Sequence, residues 1–191
     1  RIALQRFEDV FGKYIEKNCY NAPLRESEVV GLQIATEDNA IRVALSSPCI
    51  IPYSAIAEAQ RILSMNLSAR SVAISARYPS ELLGPEAFSL VIDHLKAANV
   101  PVNGFFRRAE IMYDNRCFTV RLPEQTVTFL EPLALPGKIA AQAEALFGIR
   151  PQVSFIPVPD YELKPMDPRP TVVDDYIPET PPIPEEAPPW E

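Results

Sequence analysis

The chain has 191 residues, a hydrophobic fraction of 47% and a formal net charge of −7. That length allows one or two small domains with an ordinary core. No apolar run approaches the ~18 residues that a membrane-spanning helix needs, and no secretory signal pattern stands at the start. The first residue is Arg1, not Met, and the sequence reads as a piece of a longer protein.

The first elements read as follows. Residues 4–18 place Leu4, Phe7, Val10, Phe11, Tyr14 and Ile15 at steps of three and four, which predicts an amphipathic helix ended by the Asn21–Leu24 stretch. Val29, Val30, Leu32 and Ile34 predict a strand. The Glu37-Asp38-Asn39 turn and the alternating Ile41, Val43 and Leu45 then complete a hairpin. Pro52 opens a helix carrying Ile56, Ala59, Gln60 and Leu63. A third strand follows with Val72 and Ile74 on one face. This first α+β domain is placed at residues 1–79.

A second domain is placed at 80–158. Residues 80–99 predict a helix with Leu90, Val91, His94 and Leu95 toward its end. A hairpin turns around Asp114-Asn115. One short helix covers 124–132, and another carries Ile139, Ala143, Leu146 and Phe147 before the stop at Gly148. The closing strand alternates Val153 and Phe155, whose apolar face should pack on that last helix. The two halves look alike, because Val72 and Ile74 are answered by Val153 and Phe155, each after a helix and a short turn. Convergence of a common helix–turn–strand pattern is the alternative.

From Pro157 the composition changes, and 11 of the 21 prolines fall there. Between Asp160 and Glu191 nine acids face only Lys164 and Arg169, so the preceding 159 residues are electrically neutral. Residues 159–191 are therefore expected to be a disordered, acidic, proline-rich linker.

No catalytic constellation is apparent. His94 stands alone in a helix beside Asp93 and reads as structural. Gly137-Lys138 lacks the upstream glycines and the following Ser/Thr of a phosphate loop. The Asp174-Asp175 pair sits in the tail without a rigid scaffold to fix metal ions. Cys19, Cys49 and Cys117 are odd in number and widely spaced, which argues against disulfides or zinc and for reduced thiols in the cytoplasm. No cofactor or metal is expected.

The order of elements after Glu81 (helix, strand, strand, helix, helix, strand) is similar to that of a type II KH domain. Three stretches carry a more particular resemblance: "IIPYSAIAEAQRIL…SVAISARYP", "ELLGPEAFSLVIDHL…AEIMYDNRCFTVRLP" and "IAAQAEALFGIRPQVSF". Over about residues 5–157 the chain resembles the N-terminal region of PolC-type DNA polymerase III alpha subunits. The resemblance implies a first domain like the C-terminal domain of the clamp-loader tau subunit and a KH-like second domain. It implies a parent chain with DNA polymerase and 3′–5′ exonuclease activities, whose catalytic residues lie outside this sequence. It further implies a non-catalytic role in DNA replication through contacts with replisome proteins, the tau subunit among them.

A KH domain grips nucleic acid with a GXXG loop between two helices. Gly137 is present at that place, but Ala134 stands where the first glycine belongs. Arg107, Arg108, Arg116, Arg121, Lys138 and Arg150 are the candidate nucleic-acid contacts, with ordinary solvated surface as the alternative. Contact with DNA is expected to be weak or indirect, because the folded part is neutral. Three functions thus compete: a docking region of a replicative polymerase, a single-strand-binding KH-like module, and a stand-alone adaptor working through its proline-rich tail.

Overall fold

The computed structural model describes residues 4–16, 21–102 and 104–165. The fold is α+β, with a four-stranded and a three-stranded sheet.

The start differs from the helix expected over residues 4–18. Gln5–Arg6 form a short strand β1, and the helix α1 covers only Phe7–Phe11. The apolar spacing was a true core signal, since Phe7, Phe11 and Ile15 are all buried. Strand pairing takes the residues before it: Gln5 lies opposite Val29, and the Phe7 amide donates to the Ser27 carbonyl at 2.8 Å. Gly12 then ends the helix. The Asn21–Leu24 stretch does not stop a helix but begins one, α2 at Ala22–Glu26, with Pro23 in its first turn.

Strands β2 (Glu28–Ala35) and β3 (Ala40–Ser46) form the expected hairpin, with a bulge between Val29 and Gly31. Helix α3 (Tyr53–Asn66) returns the chain to β4 (Ser71–Arg77), parallel to β3. Ile41, Val43 and Leu45 stand opposite Val72, Ile74 and Ala76. The buried Ile56, Ala59 and Leu63 of α3 belong to the same core. Gln60 has a separate task. Its side-chain oxygen accepts the Ile74 amide at 2.9 Å and satisfies a donor on the outer strand.

The second half follows the expected order. Helix α4 spans Phe88–Ala97, not residues 80–99, because two short 3-10 turns, Ser80–Leu82 and Pro85–Ala87, precede it. Pro85 forces Gly84 out of helical geometry, and Gly84 is fully extended. Strands β5 (Glu110–Asp114) and β6 (Cys117–Pro123) pair around Asn115-Arg116, one residue beyond the expected centre. Both turn residues have positive φ, 47° and 59°, which matches the twist of a two-residue hairpin. Helices α5 (Glu124–Leu130) and α6 (Leu135–Phe147) lead to β7 (Gln152–Val158), parallel to β6. Gly148 ends α6 at φ 74°.

Each half is a hairpin followed by a helical crossover to a parallel strand, in the spatial orders β2-β3-β4 and β5-β6-β7. Val43 opposite Ile74 is matched by Val120 opposite Phe155. One hydrophobic cluster runs through both halves. At the seam α6 touches β4 and α3 touches α4. The chain remains folded past the expected linker boundary at 159. Asp160–Glu162 form a 3-10 turn and Leu163 is buried. Residues 166–191, where the rest of the expected linker falls, lie outside the described residues.

Candidate functional site

Strand β2 carries the largest run of exposed apolar side chains. Val30, Leu32 and Ile34 are 51%, 51% and 63% exposed. Leu32 stands opposite the buried Val43, and Ile34 opposite Ile41, so both face the side of the sheet that holds the core. Helix α3 packs on β4, across the sheet, and leaves this part of β2 open. The outer edge of β2 is open as well. β1 pairs only with Glu28 and Val29, and among the described residues no strand pairs with the outer side of 30–35. Met65, in the last turn of α3, is also 63% exposed. It lies toward the same end of the sheet, where the Asn39 side chain donates to the Ser68 carbonyl at 3.0 Å. The strand was legible in sequence from Val29, Val30, Leu32 and Ile34; which of these side chains stay uncovered is a tertiary fact.

The six candidate cations do not form one patch. Arg121, on β6, contacts Glu110 at 2.7 Å and Glu162 at 3.1 Å. Arg108 contacts Asp160 at 3.2 Å. Arg150 reaches Glu144 at 3.4 Å. Arg107, Arg116 and Lys138 are exposed, with no ion pair among the described residues. They stand on three different elements: the loop before β5, the β5–β6 turn and α6.

The segment between α5 and α6, where the GXXG loop of a KH domain would stand, is not an open loop. Glu131–Leu133 is a 3-10 turn, and Ala134 alone bridges to α6 in the left-handed region at φ 50°. Gly137 lies inside the first turn of α6 rather than in a loop. A cleft of about 500 Å³ between these helices and β7 is lined by Val127, Leu130, Glu131, Ala134, Gly137 and Phe155. Ala134 adds a methyl group, and Glu131 a negative charge, at the place where a phosphate backbone would approach.

His94 is half-buried on α4 with its ring edge against Tyr53, centroids 5.0 Å apart. Its Nε2 is buried without a hydrogen-bond partner among the described residues. Burial holds its pKa below the ordinary value, against the opposing pull of Asp93. Beside it, a hollow of about 640 Å³ between the start of α3 and α4 is lined by Ile50, Pro52, Tyr53, Glu86, Leu90 and Asp93. Its walls are mainly apolar. Among the described residues no three His, Cys, Asp or Glu side chains gather at one point, and no helix is long and apolar enough to cross a membrane. Cys49 and Cys117 are free thiols, and Cys19 lies outside the described residues.

No protein-family model matches the chain, and no curated protein matches it.

Proposed function

We propose that this chain is a non-catalytic docking region of a replication assembly. It engages another protein through the open edge and the exposed side chains of β2. The docking reading is carried by Val30, Leu32 and Ile34 on a strand whose outer hydrogen-bonding edge is free over residues 30–35. Such an edge accepts a strand from a partner: main-chain hydrogen bonds supply affinity, and alternate side chains supply specificity. An unprotected apolar edge is also an aggregation hazard unless something covers it. The affiliation with a PolC-type polymerase, acting in the cytoplasm, rests on the sequence resemblance, which makes the clamp-loader tau subunit the first partner to test.

A second reading, a KH-like single-strand binder, is favoured by the cleft between α5, α6 and β7. It is the weaker reading, because that cleft contains Glu131 and three of the six candidate cations are already paired.

The test is calorimetric titration of the chain with purified tau subunit, repeated with Leu32→Lys and Ile34→Lys. Both side chains are at least half exposed, so the substitutions should leave the fold intact. Each is expected to weaken binding at least tenfold. Unchanged binding in both variants would refute the β2 surface. Absence of tau binding, together with sub-micromolar affinity of the unmodified chain for a short oligonucleotide, would replace this reading with the second one.

A further inference from the structure

We propose that residues 159–164 form a releasable strap. The strap covers, in cis, a face of the second half that binds single-stranded nucleic acid. This proposal is independent of the β2 docking reading.

The strap engages all three side-chain nitrogens of Arg108. Arg108 Nη1 donates to Asp160 Oδ1 at 3.2 Å, Nη2 to the Asp160 carbonyl at 2.9 Å and Nε to the Lys164 carbonyl at 3.3 Å. Glu162 takes one nitrogen of Arg121 at 3.1 Å, while Glu110 holds another at 2.7 Å. Leu163, 5% exposed, is the apolar anchor. The attachment is light. The Asp160 and Glu162 side chains are 60% and 43% exposed, and ion pairs that open to water contribute little. One leucine therefore does most of the holding.

At the Asp160 end of the strap is a recess of about 240 Å³ lined by Phe105, Arg107, Arg108, Gln125, Thr126 and Asp160. Asp160, whose carboxylate accepts from Arg108, thus places an anion of the chain itself at the rim of this recess. Phe105 pairs with Phe129 at a centroid distance of 5.4 Å, and Phe129 is 61% exposed. Arginines beside an aromatic pair with one exposed ring suit a single strand: cations follow the phosphates, and bases stack on the ring. With the strap down, Arg108 is spent, and the Asp160 carboxylate stands where a phosphate would lie. With it lifted, Arg107 and Arg108 face solvent together. Arg121 keeps Glu110 in either state and adds less. This face differs from the α5–α6 cleft, which is lined by other residues.

The test is fluorescence anisotropy of a labelled single-stranded oligonucleotide, titrated with the full chain across a range of salt. Leu163→Ser lifts the anchor without changing net charge. It is expected to raise affinity about tenfold and to steepen the salt dependence by about 0.7 for each cation freed. Adding Arg108→Gln to Leu163→Ser should abolish the gain. Asp160→Asn with Glu162→Gln removes only the lighter contacts and should produce a smaller gain, about threefold, and the charge-matched control Glu37→Gln with Asp38→Asn should not. Near-UV circular dichroism checks that each variant keeps its tertiary packing; should Leu163→Ser lose it, the paired carboxylate variant decides alone. The proposal fails if affinity stays within twofold in the folded variants, if the gain survives Arg108→Gln, or if the control gains equally. It also fails if a polyglutamate peptide binds the opened face as tightly as the oligonucleotide does.

Discussion

Removing one hydroxyl, in Tyr78→Phe, should destabilise the first half, beside the seam with the second, far more than an oxygen atom's volume suggests. Tyr78 follows β4 and is 3% exposed. Its hydroxyl donates to the Ile51 carbonyl at 3.2 Å and accepts the Ile51 amide at 3.3 Å. Its own amide donates to the Leu146 carbonyl at 2.7 Å, near the end of α6, and its ring lies 5.6 Å from that of Phe147. One residue thus joins β4, the segment leading into α3 and the end of α6. Phenylalanine keeps the ring and the backbone bond and deletes only the hydroxyl. Both hydroxyl bonds are longer than the usual 2.7–3.0 Å, so each contributes toward the low end of about 0.5–1.5 kcal/mol. The larger cost is the orphaned Ile51 amide, in a residue with no exposed surface, at about 1–3 kcal/mol. A total of roughly 2–4 kcal/mol is expected, or a fall of about 4–16 °C in Tm for a chain of this length.

Alkaline pH offers an independent check. Burial pushes the Tyr78 pKa up to about 12, with the bond to the Ile51 backbone acting in the opposite direction. An unfolded tyrosine ionises near 10. The contribution of the neutral phenol is therefore fully present below about pH 10 and is lost as pH rises toward 12. The gap between the parent and Tyr78→Phe should narrow across that window. Denaturant melts at pH 7 and at pH 9–12 measure both effects. A Tyr78→Phe variant within about 0.5 kcal/mol of the parent, with an identical alkaline limb, would show that the hydroxyl does not satisfy Ile51.

The other predictions concern His94, Phe155 and Gly137. Burial lowers the folded pKa of His94, so its stabilising neutral form is fully present above the unfolded value of about 6.5 and that contribution is lost as pH falls; His94→Phe should flatten the loss of stability between pH 6.5 and 5 in thermal melts, and an unchanged acid limb would contradict it. Phe155 is half-buried beside Phe106, ring centroids 5.8 Å apart; Phe155→Ala should cost about 1.5–3 kcal/mol, below the 3–5 typical of a fully buried ring, with Ser154→Ala near zero, and equal effects at the two positions would undo the assigned strand faces. A Cβ built on Gly137 meets no atom within 4 Å, so Gly137→Ala should stabilise α6 by about 0.5–1 kcal/mol; a lowered Tm would mean that the glycine serves something other than the helix.

Phe155 also shows where sequence reading ran out. The alternation of Val153 and Phe155, and the stripe of Ile139, Leu146 and Phe147, place strand and helix faces correctly. All three helix residues are buried. Periodicity fixes which way a side chain points, but not how much lies above it. β7 is an outer strand with one neighbour, so its inward residues remain half-buried. The same limit applies, with more consequence, to Leu32 and Ile34. Their alternation matches that of Val43 and Leu45, yet one pair is exposed and the other buried, because α3 covers only part of the sheet.

Local signals succeeded where the physics is local. The β5–β6 hairpin, expected one residue short of its Asn115-Arg116 turn, the Gly148 stop and the Pro52 start each depend on a few dihedrals or one missing amide. They failed at the two ends of the fold, where a distant partner decides. Nothing in residues 4–18 reveals that Gln5 will pair with Val29. Nothing in the acid-rich composition after 159 reveals that Arg108 and Arg121 wait for Asp160 and Glu162. The six cations counted as one candidate surface were an additive reading of charge, and charge in a folded chain is not additive. Three of the six are paired before any ligand arrives. On the strap proposal, the light pair at Arg108 is one that a better anion would displace. Nucleic-acid binding then depends, on the same proposal, less on how many arginines the chain has than on whether Leu163 stays in place.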